Sequence, residues 1–260
     1  MAAGPLIEAR QVAIGYRGKV VARDIDVSLR AGEVVCLLGP NGSGKTTLFK
    51  TLLRLIARLA GSISIAGRPI DSWRPGQLAL RQAYVPQASV SVFPYRVLDM
   101  VLMGRTARLG VFSAPGAVDR EKAWSALERL GIADLAESEY TRISGGQRQL
   151  TLIARALAQE APSIVMDEPT ASLDFGNQAL VLREVARLAR GGLGIVLSTH
   201  QPDHAFAIAS RVLLLHDGRV VADGSPREVL TRQRLEQVYG VPVSLDPLPN
   251  GRLSCTPLLS

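Results

Sequence analysis

Short apolar runs alternate with amphipathic segments along most of this chain. In residues 21–29, Ile25, Val27 and Leu29 alternate with polar positions, which is typical of a strand with one buried face. The same reasoning predicts strands at 6–13, 34–38, 61–67, 81–85, 163–166 and 194–197, helices at 48–55, 97–103, 119–130, 178–189, 203–210 and 226–239, and a hairpin of 212–215 with 219–222. Alternating strands and helices predict an α/β fold with a mostly parallel sheet covered on both sides.

The middle of the chain departs from this alternation, because only helices are predicted from about residue 88 to residue 149. We therefore expect a helical subdomain at 88–149, inserted into a discontinuous α/β core of residues 1–87 and 150–240. The first strands form an antiparallel β part of that core. The tail, residues 241–260, is broken by prolines and a glycine and receives no assignment.

The strongest local signal is a glycine-rich segment between an apolar run and a predicted helix. It matches the pattern G-x-x-x-x-G-K-[ST], whose glycines let backbone N–H groups point at phosphate oxygens. The following helix adds its unpaired N–H groups and its dipole. Lys45 is a cation for the β- and γ-phosphates, and the Thr46 hydroxyl suits Mg²⁺. The predicted nucleotide-binding residues are Gly39, Pro40, Asn41, Gly42, Ser43, Gly44, Lys45, Thr46 and Thr47.

A second anion site is predicted where another long helix begins. Ser144 and Gln147 have the spacing of a capping box, and Gly145 and Gly146 between them leave the helix N-terminal amides uncovered. Like the phosphate loop, this helix start can bind an anion through backbone N–H groups, although it lies about 100 residues further along the chain.

Two acids follow the apolar run 163–166. Asp167 and Glu168 would lie at the carboxyl end of a parallel strand, which is where Mg²⁺ is held beside a phosphate loop. Tyr16, upstream of the phosphate loop, is either an aromatic surface on which adenine stacks or an ordinary strand-end tyrosine.

Composition narrows the classes of function. The net charge of +7 comes almost entirely from scattered arginines, whereas a nucleic-acid footprint needs a clustered basic patch. No apolar run approaches the ~20 residues that cross a bilayer, and no signal peptide is visible at the N-terminus. We therefore expect a cytoplasmic protein without nucleic acid as a partner. Cys36 and Cys255 predict no disulfide framework.

From about residue 6 to about residue 240, the ordered motifs resemble the ATP-binding cassette family, the ATPase subunits of ABC transporters. Residues 39–46 are similar to its Walker A loop, and Gln87 to its Q-loop. Residues 143–147 are similar to its signature motif, with Ile143 where leucine is commoner. The resemblance implies a P-loop NTPase cassette that binds ATP and Mg²⁺.

The later motifs complete the resemblance. Residues 163–167 are similar to Walker B, and Glu168 to the catalytic glutamate that follows it. Residues 172–174, ending in Asp174, are similar to the D-loop, and His200 to the switch histidine. Tyr16 corresponds to the adenine-stacking aromatic residue.

The resemblance also implies a mechanism. Glu168 orients or deprotonates the attacking water, supported by His200, Lys45 and Gln87. Two cassettes pack head to tail, so that ATP on one Walker A loop is covered by the signature motif of a second copy. The residues expected to bind nucleotide are therefore Tyr16, the loop 39–47, Ser144, Gly145, Gly146, Gln147 and Asp174. The expected Mg²⁺ ligands are Thr46, Gln87 and Asp167.

One cassette without a fused membrane domain favours a separate subunit that docks on two integral membrane permease subunits, at the cytoplasmic face of the inner membrane. Residues 101–112, 173–178 and 239–243 resemble the importer branch for iron-siderophore complexes, haem and vitamin B12, which also involves a substrate-binding protein. The alternatives are a related importer of molybdate or tungstate, and a soluble cassette ATPase that acts on nucleic acid or ribosomes.

An aromatic and apolar group after the Q-loop has two interpretations. Phe93, Tyr95, Val97 and Phe112 either line the groove that receives a membrane subunit or pack the helical subdomain. No motif supports His204, and we expect it to be an ordinary surface or packing residue.

Overall fold

A computed structural model describes residues 4–16, 18–87, 93–110, 113–171 and 173–258. The strands, in chain order, are β1 (Ile7–Tyr16), β2 (Lys19–Leu29), β3 (Val34–Leu38), β4 (Ala60–Ile65), β5 (Arg68–Pro69), β6 (Gln82–Val85), β7 (Ser163–Met166), β8 (Gly194–Thr199), β9 (Arg211–His216), β10 (Arg219–Gly224), β11 (Val243–Pro247) and β12 (Leu253–Pro257). The helices are α1 (Lys45–Leu52), α2 (Pro75–Ala79), α3 (Val97–Leu102), α4 (Ala117–Arg129), α5 (Gly145–Ala158), α6 (Phe175–Arg190), α7 (Pro202–Ile208), α8 (Pro226–Val229) and α9 (Arg232–Tyr239). Single 3₁₀ segments occupy Ile70–Ser72, Met103–Arg108 and Ala133–Leu135.

The chain divides into two compact units. The first consists of Met1–Ile70 together with Val185–Ser260, and the second is Asp71–Glu184. The predicted helical subdomain, residues 88–149, falls within the second unit, and its bounds stay a prediction. Of the helices that the structure describes, none has the length and apolarity needed to cross a membrane.

The core of the first unit is a parallel arrangement around β3. This strand pairs in parallel with β8 on one side and with β9 on the other, and all five of its residues are buried. Burial raises the pKa of the Cys36 thiol to about 12. Cys36 and Cys255 are both free thiols.

The predicted hairpin is confirmed in β9 and β10, which pair antiparallel with Arg219 opposite His216. Asp217 and Gly218 both have positive φ angles, 46° and 70°, as a two-residue hairpin turn requires. The predicted antiparallel part is also present, because β1 pairs antiparallel with both β2 and β4. Ile7 is fully buried between these two partners.

Several elements differ from the predicted ones, among them the start of α1, the helix predicted at 226–239 and the tail. Helix α1 begins at Lys45 rather than at residue 48, because Gly44 takes a left-handed conformation and the helix starts directly after it. The predicted helix 226–239 is interrupted at Leu230 and Thr231, and the Thr231 hydroxyl accepts the Arg234 N–H to cap α9. The unassigned tail forms an antiparallel hairpin, β11 with β12, in which Val243 lies opposite Pro257.

The second unit combines two parallel strands with a helical layer. Strands β6 and β7 pair in parallel, and α3 and α4 both pack against α5. Val97 at the start of α3 is fully buried, so this residue packs the interior and does not line a surface groove. Phe93 and Tyr95 are exposed, with ring centroids 5.9 Å apart. Phe112 lies outside the described residues.

A buried arginine ties the helical layer together. Arg105 Nε donates to Asp119 Oδ1 at 2.9 Å, and an Nη donates to the Ala158 carbonyl at 2.7 Å and to Glu160 Oε2 at 2.8 Å. Lys122 Nζ lies 2.9 Å from the other oxygen of Glu160. The hydrogen bond from Arg105 holds the pKa of Asp119 below its usual value. One guanidinium therefore joins the 3₁₀ segment, the first turn of α4 and the end of α5.

We predict that Arg105→Ala lowers the free energy of unfolding by about 2–4 kcal/mol, because it leaves Asp119 and the end of α5 without a buried cation. Arg10→Ala is the control. Arg10 pairs with Glu8 at the surface, so its loss should leave the free energy of unfolding nearly unchanged. Urea denaturation measures both, and equal losses in the two variants would contradict the structural role of Arg105.

Candidate functional site

The phosphate loop and His200 follow neighbouring parallel strands of the first unit. Leu38, the last residue of β3, lies opposite Thr199, the last residue of β8. The loop begins at Gly39, and His200 comes directly after Thr199. Because carboxyl ends of parallel strands meet at one edge of a sheet, the structure brings these two predicted site elements together.

The loop has backbone features that only glycine supplies. Gly42 and Gly44 have φ angles of 80° and 104°. A Cβ atom at Gly39 would lie 2.3 Å from the Leu215 carbonyl oxygen, so a side chain has no room there. Lys45 Nζ donates to the carbonyl oxygens of Gly39 and Pro40, at 2.9 and 3.0 Å. The ammonium group is thus held over the loop.

The polar groups of the loop fit an anionic phosphate. The Ser43 Oγ is buried and has no hydrogen-bond partner among the described residues. The first turn of α1 contains no acidic residue, so its N–H groups and the positive end of its dipole meet no negative side chain of that turn. Together with Lys45, these donors form a cationic surface that suits a triphosphate.

Tyr16, the last residue of β1, is 45% exposed. Its hydroxyl oxygen lies 3.5 Å from Thr47 Oγ1, at the outer limit for a hydrogen bond. The structure therefore brings this ring to the helix that follows the phosphate loop. Its role in adenine stacking stays a prediction.

The turn that carries His200 is held by side chains that the sequence reasoning did not single out. Thr199 Oγ1 accepts the Gln201 N–H at 3.1 Å and lies 3.3 Å from His204 Nδ1. His204 is buried, in agreement with the expected packing role. Burial lowers the pKa of His204, with an opposing effect of Asp203 and a small lowering by His200. In the sequence, the signal for this role was the position of His204 four residues after His200.

In the second unit, β6 and β7 place a second group of predicted residues at one edge. The Asp167 N–H donates to the Val85 carbonyl at 2.8 Å, which continues the pairing of β7 with β6. Gln87 follows Val85 by two residues, so Gln87 lies near Asp167 and Glu168. Asp167 is 2% exposed. A carboxylate and an amide are oxygen donors of the kind that Mg²⁺ prefers.

Glu168 has a strained backbone, with a φ angle of 45°. A left-handed conformation is uncommon for residues other than glycine and costs about 1–3 kcal/mol, and such strain clusters at functional sites. The Ala171 N–H donates to the Glu168 carbonyl at 3.2 Å and helps to hold this turn. Nothing in the sequence signalled the strain.

The predicted capping box at the start of α5 is confirmed. The Gln147 N–H donates to Ser144 Oγ at 3.2 Å, and the Ser144 N–H donates to Gln147 Oε1 at 2.9 Å. A Cβ atom at Gly146 would lie 3.4 Å from Leu173 Cδ2, so this helix start lies beside the turn that precedes α6. The first turn of α5 contains no acidic residue.

Asp174 is occupied in a local structural role. Its two carboxylate oxygens accept the backbone N–H and the side-chain amide of Asn177, at 2.8 and 2.9 Å. The Asp174 carbonyl also accepts the Gln178 N–H. Asp174 therefore caps α6, and a contact with nucleotide stays a prediction. Ser172 lies outside the described residues.

Each unit thus assembles its own part of the predicted site. Tyr16, the loop 39–47 and His200 belong to the first unit, and Gln87, residues 144–147, Asp167, Glu168 and Asp174 belong to the second. In the part of the chain that the structure describes, no group of three His, Cys, Asp or Glu side chains has the spacing of a metal site. A Mg²⁺ ion needs fewer, because it is usually held by one or two carboxylates with substrate phosphates.

Comparison with known proteins agrees with this geometry. The family model described as "ABC transporter" matches residues 22–171. The chain is 40% identical over 232 residues to a hemin import ATP-binding protein of Streptomyces coelicolor, covering 89% of this chain and 82% of the relative. It is 37% identical over 236 residues to a manganese transport system ATP-binding protein of Bacillus subtilis, covering 90% and 92%.

A solved structure matches nearly the whole chain. It is a chain of an inward-facing ABC transporter provisionally assigned to the metal-chelate type, with a TM-score of 0.86 and 33% sequence identity. The match covers 98% of this chain and 98% of that one. The predicted α/β cassette fold is therefore confirmed.

We predict that His204 makes the stability of the protein depend on pH. Its ordinary pKa of 6.5 applies to the unfolded chain, and its pKa is lower in the folded protein. The unfolded state therefore binds more protons, and stability falls as the pH decreases through about 6.5. Chemical denaturation at pH 7.5, 6.5 and 5.5 should show a steeper loss for the natural protein than for His204→Gln. Parallel curves for the two proteins would contradict this.

Proposed function

This chain belongs to the ABC transporter family, as one of its ATP-binding proteins, and from this premise we propose that it hydrolyses ATP to drive a bacterial importer. The observation that carries the proposal is the phosphate loop, with its buried Ser43 hydroxyl and Lys45 ammonium, at the same sheet edge as His200. The name of the hemin import relative, which matches 89% of the chain, supports the direction of transport.

The residues of the chain have distinct roles in this proposal. Lys45 and the N–H groups of the loop bind the β- and γ-phosphates. Glu168 orients the attacking water and accepts its proton, and its strained backbone, with a φ angle of 45°, is of the kind that clusters at functional sites. His200 supports the geometry at the γ-phosphate. Thr46, Gln87 and Asp167 would hold Mg²⁺, which when bound supplies charge neutralisation at the phosphates.

The active form in this proposal is a head-to-tail pair of identical copies. The start of α5 has a capping box and no acidic residue in its first turn, so the positive end of its dipole suits the γ-phosphate of ATP bound by the other copy. Asp174 and the turn before α6 lie beside this helix start and would belong to the same interface.

The partners in this proposal are two integral membrane permease subunits and a substrate-binding protein, which place the chain at the cytoplasmic face of the inner membrane. The proposed cargo is a metal chelate of the iron-siderophore, haem or cobalamin type, supported by the hemin import relative and the metal-chelate type structure. The manganese transport relative supports a metal ion as the second candidate.

We predict that Glu168→Gln binds ATP but turns it over at least about 100-fold more slowly, because a glutamine side chain cannot accept a proton from water. The stalled protein should form an ATP-dependent dimer, measured by light scattering after size exclusion. Adding Ser144→Arg should abolish that dimer and leave ATP binding by the monomer unchanged, since Ser144 acts on the partner copy. Loss of monomer binding, or rapid hydrolysis by Glu168→Gln, would refute these roles.

We predict that the tagged protein, purified from gently solubilised membranes of its own host, brings a polytopic membrane protein with it. Phe93→Ala should lower that recovery, because Phe93 and Tyr95 form an exposed aromatic pair. Trp124→Ala is the matched control, since Trp124 is another exposed aromatic residue outside this pair. Recovery of ribosomes or nucleic acid without a membrane protein would overturn the transport proposal and leave the ATPase chemistry standing.

A further inference from the structure

The C-terminal part of the chain contacts the turn that carries His200, and we propose that it positions this histidine for ATP hydrolysis. We call residues 239–257 the C-terminal strap, since they run from the end of α9 through both strands of the last hairpin. The inference rests on the proposed ATPase function, and it adds Tyr239 as a positioning residue that acts through His200.

The first contact is made by Tyr239, the last residue of α9. Its hydroxyl donates to the backbone carbonyl of His200 at 3.2 Å. Gly240 follows with a φ angle of 70° and ends the helix there, which fixes where the tyrosine lies along the chain. The hydrogen bond is made to the backbone carbonyl, so it restrains the His200 peptide.

The second contact is made just after His200 in the chain, at the start of α7. The Cys255 N–H in β12 donates to Asp203 Oδ1 at 3.0 Å, and β12 packs along α7. Asp203 is in the first turn of α7, three residues after His200. The strap therefore restrains the chain at His200 and again where the next helix begins.

Contacts of the strap with α9 and within its own hairpin lie between these two anchor points. Glu236 Oε1 in α9 accepts the Val243 N–H at 3.2 Å and the Arg232 Nε–H at 2.8 Å. Strands β11 and β12 pair over five residues each, and the Leu258 N–H closes the hairpin on the Pro242 carbonyl at 2.9 Å. Hydrogen bonds therefore tie the strap to α9 at one end and pair its two strands at the other.

The inner side of the turn is restrained as well. Thr199 is buried and accepts the Gln201 N–H, and His204 packs against the Thr199 hydroxyl. His200 itself is exposed between these restraints. A side chain that must reach one oxygen of a transferring phosphate gains rate from a fixed backbone, because small misplacements reduce catalysis without weakening substrate binding.

The test is Tyr239→Phe, which keeps the ring and removes the hydrogen bond. We expect kcat for ATP hydrolysis to fall about 2- to 10-fold, the size of one net hydrogen bond, with KM for ATP unchanged. Ser244→Ala is the control within the same hairpin. Its hydroxyl donates to Asp246, away from the His200 turn, so kcat should stay the same.

A double-mutant cycle with His200→Ala separates positioning from general stability. His200→Ala keeps the carbonyl that Tyr239 contacts and removes the imidazole. If Tyr239 acts through the imidazole, Tyr239→Phe lowers single-turnover hydrolysis in the natural background and has no effect in the His200→Ala background. The same fold-change in both backgrounds, or no change in either, would overturn the inference.

These outcomes also separate the inference from the proposed function. An inactive His200→Ala protein combined with a fully active Tyr239→Phe protein would overturn the positioning role alone. Full activity of His200→Ala would overturn the role of His200, and the inference with it. Loss of ATP hydrolysis on Lys45→Ala is the independent check that the measured activity belongs to the phosphate loop.

Discussion

The parallel pairing of β3 with β8 is the constraint on which the rest of the first unit depends. Parallel strands send their carboxyl ends to one edge of a sheet, so Leu38 opposite Thr199 places the phosphate loop beside His200. The same rule acts in the second unit, where β6 beside β7 places Gln87 near Asp167 and Glu168. Burial stabilises both strand pairs, β3 with β8 and β6 with β7, because every residue of β3, β7 and β8 is buried.

Helix beginnings supply the second recurring element. The phosphate loop precedes α1, and Ser144 precedes α5, and in both cases the first turn contains no acid. The two beginnings are built differently. Gly44 reaches α1 through a left-handed backbone without a side-chain cap, whereas Ser144 and Gln147 cap α5 reciprocally. The phosphate loop needs glycines because its backbone must curve around the phosphate. The start of α5 would contact a phosphate only at the helix end, where the capping box fixes the backbone.

The arginine-rich composition has a structural explanation in the described residues. Arg105 joins three segments of the second unit through one guanidinium. In the first unit, Arg211 of β9 joins β10 and β2, because it pairs with Asp223 and donates to Ser28 Oγ at 2.9 Å. A planar guanidinium can serve several acceptors at once, and lysine cannot reproduce that geometry. The positive charge is therefore used partly to connect elements, in keeping with its scattered distribution along the sequence.

The sequence alone determined the α/β class, the order of most elements and the local shape of each motif. Gly44 before Lys45, the Ser144 capping box and the Asp217–Gly218 turn are local matters, in which a few neighbouring residues decide the backbone conformation. Tertiary structure decided everything that depends on residues distant in the chain. The strain at Glu168, the burial of Val97 and the hairpin in the tail depend on packing partners that no periodicity displays. The contact of Tyr239 with His200 joins residues 39 positions apart, and only the folded chain brings them together.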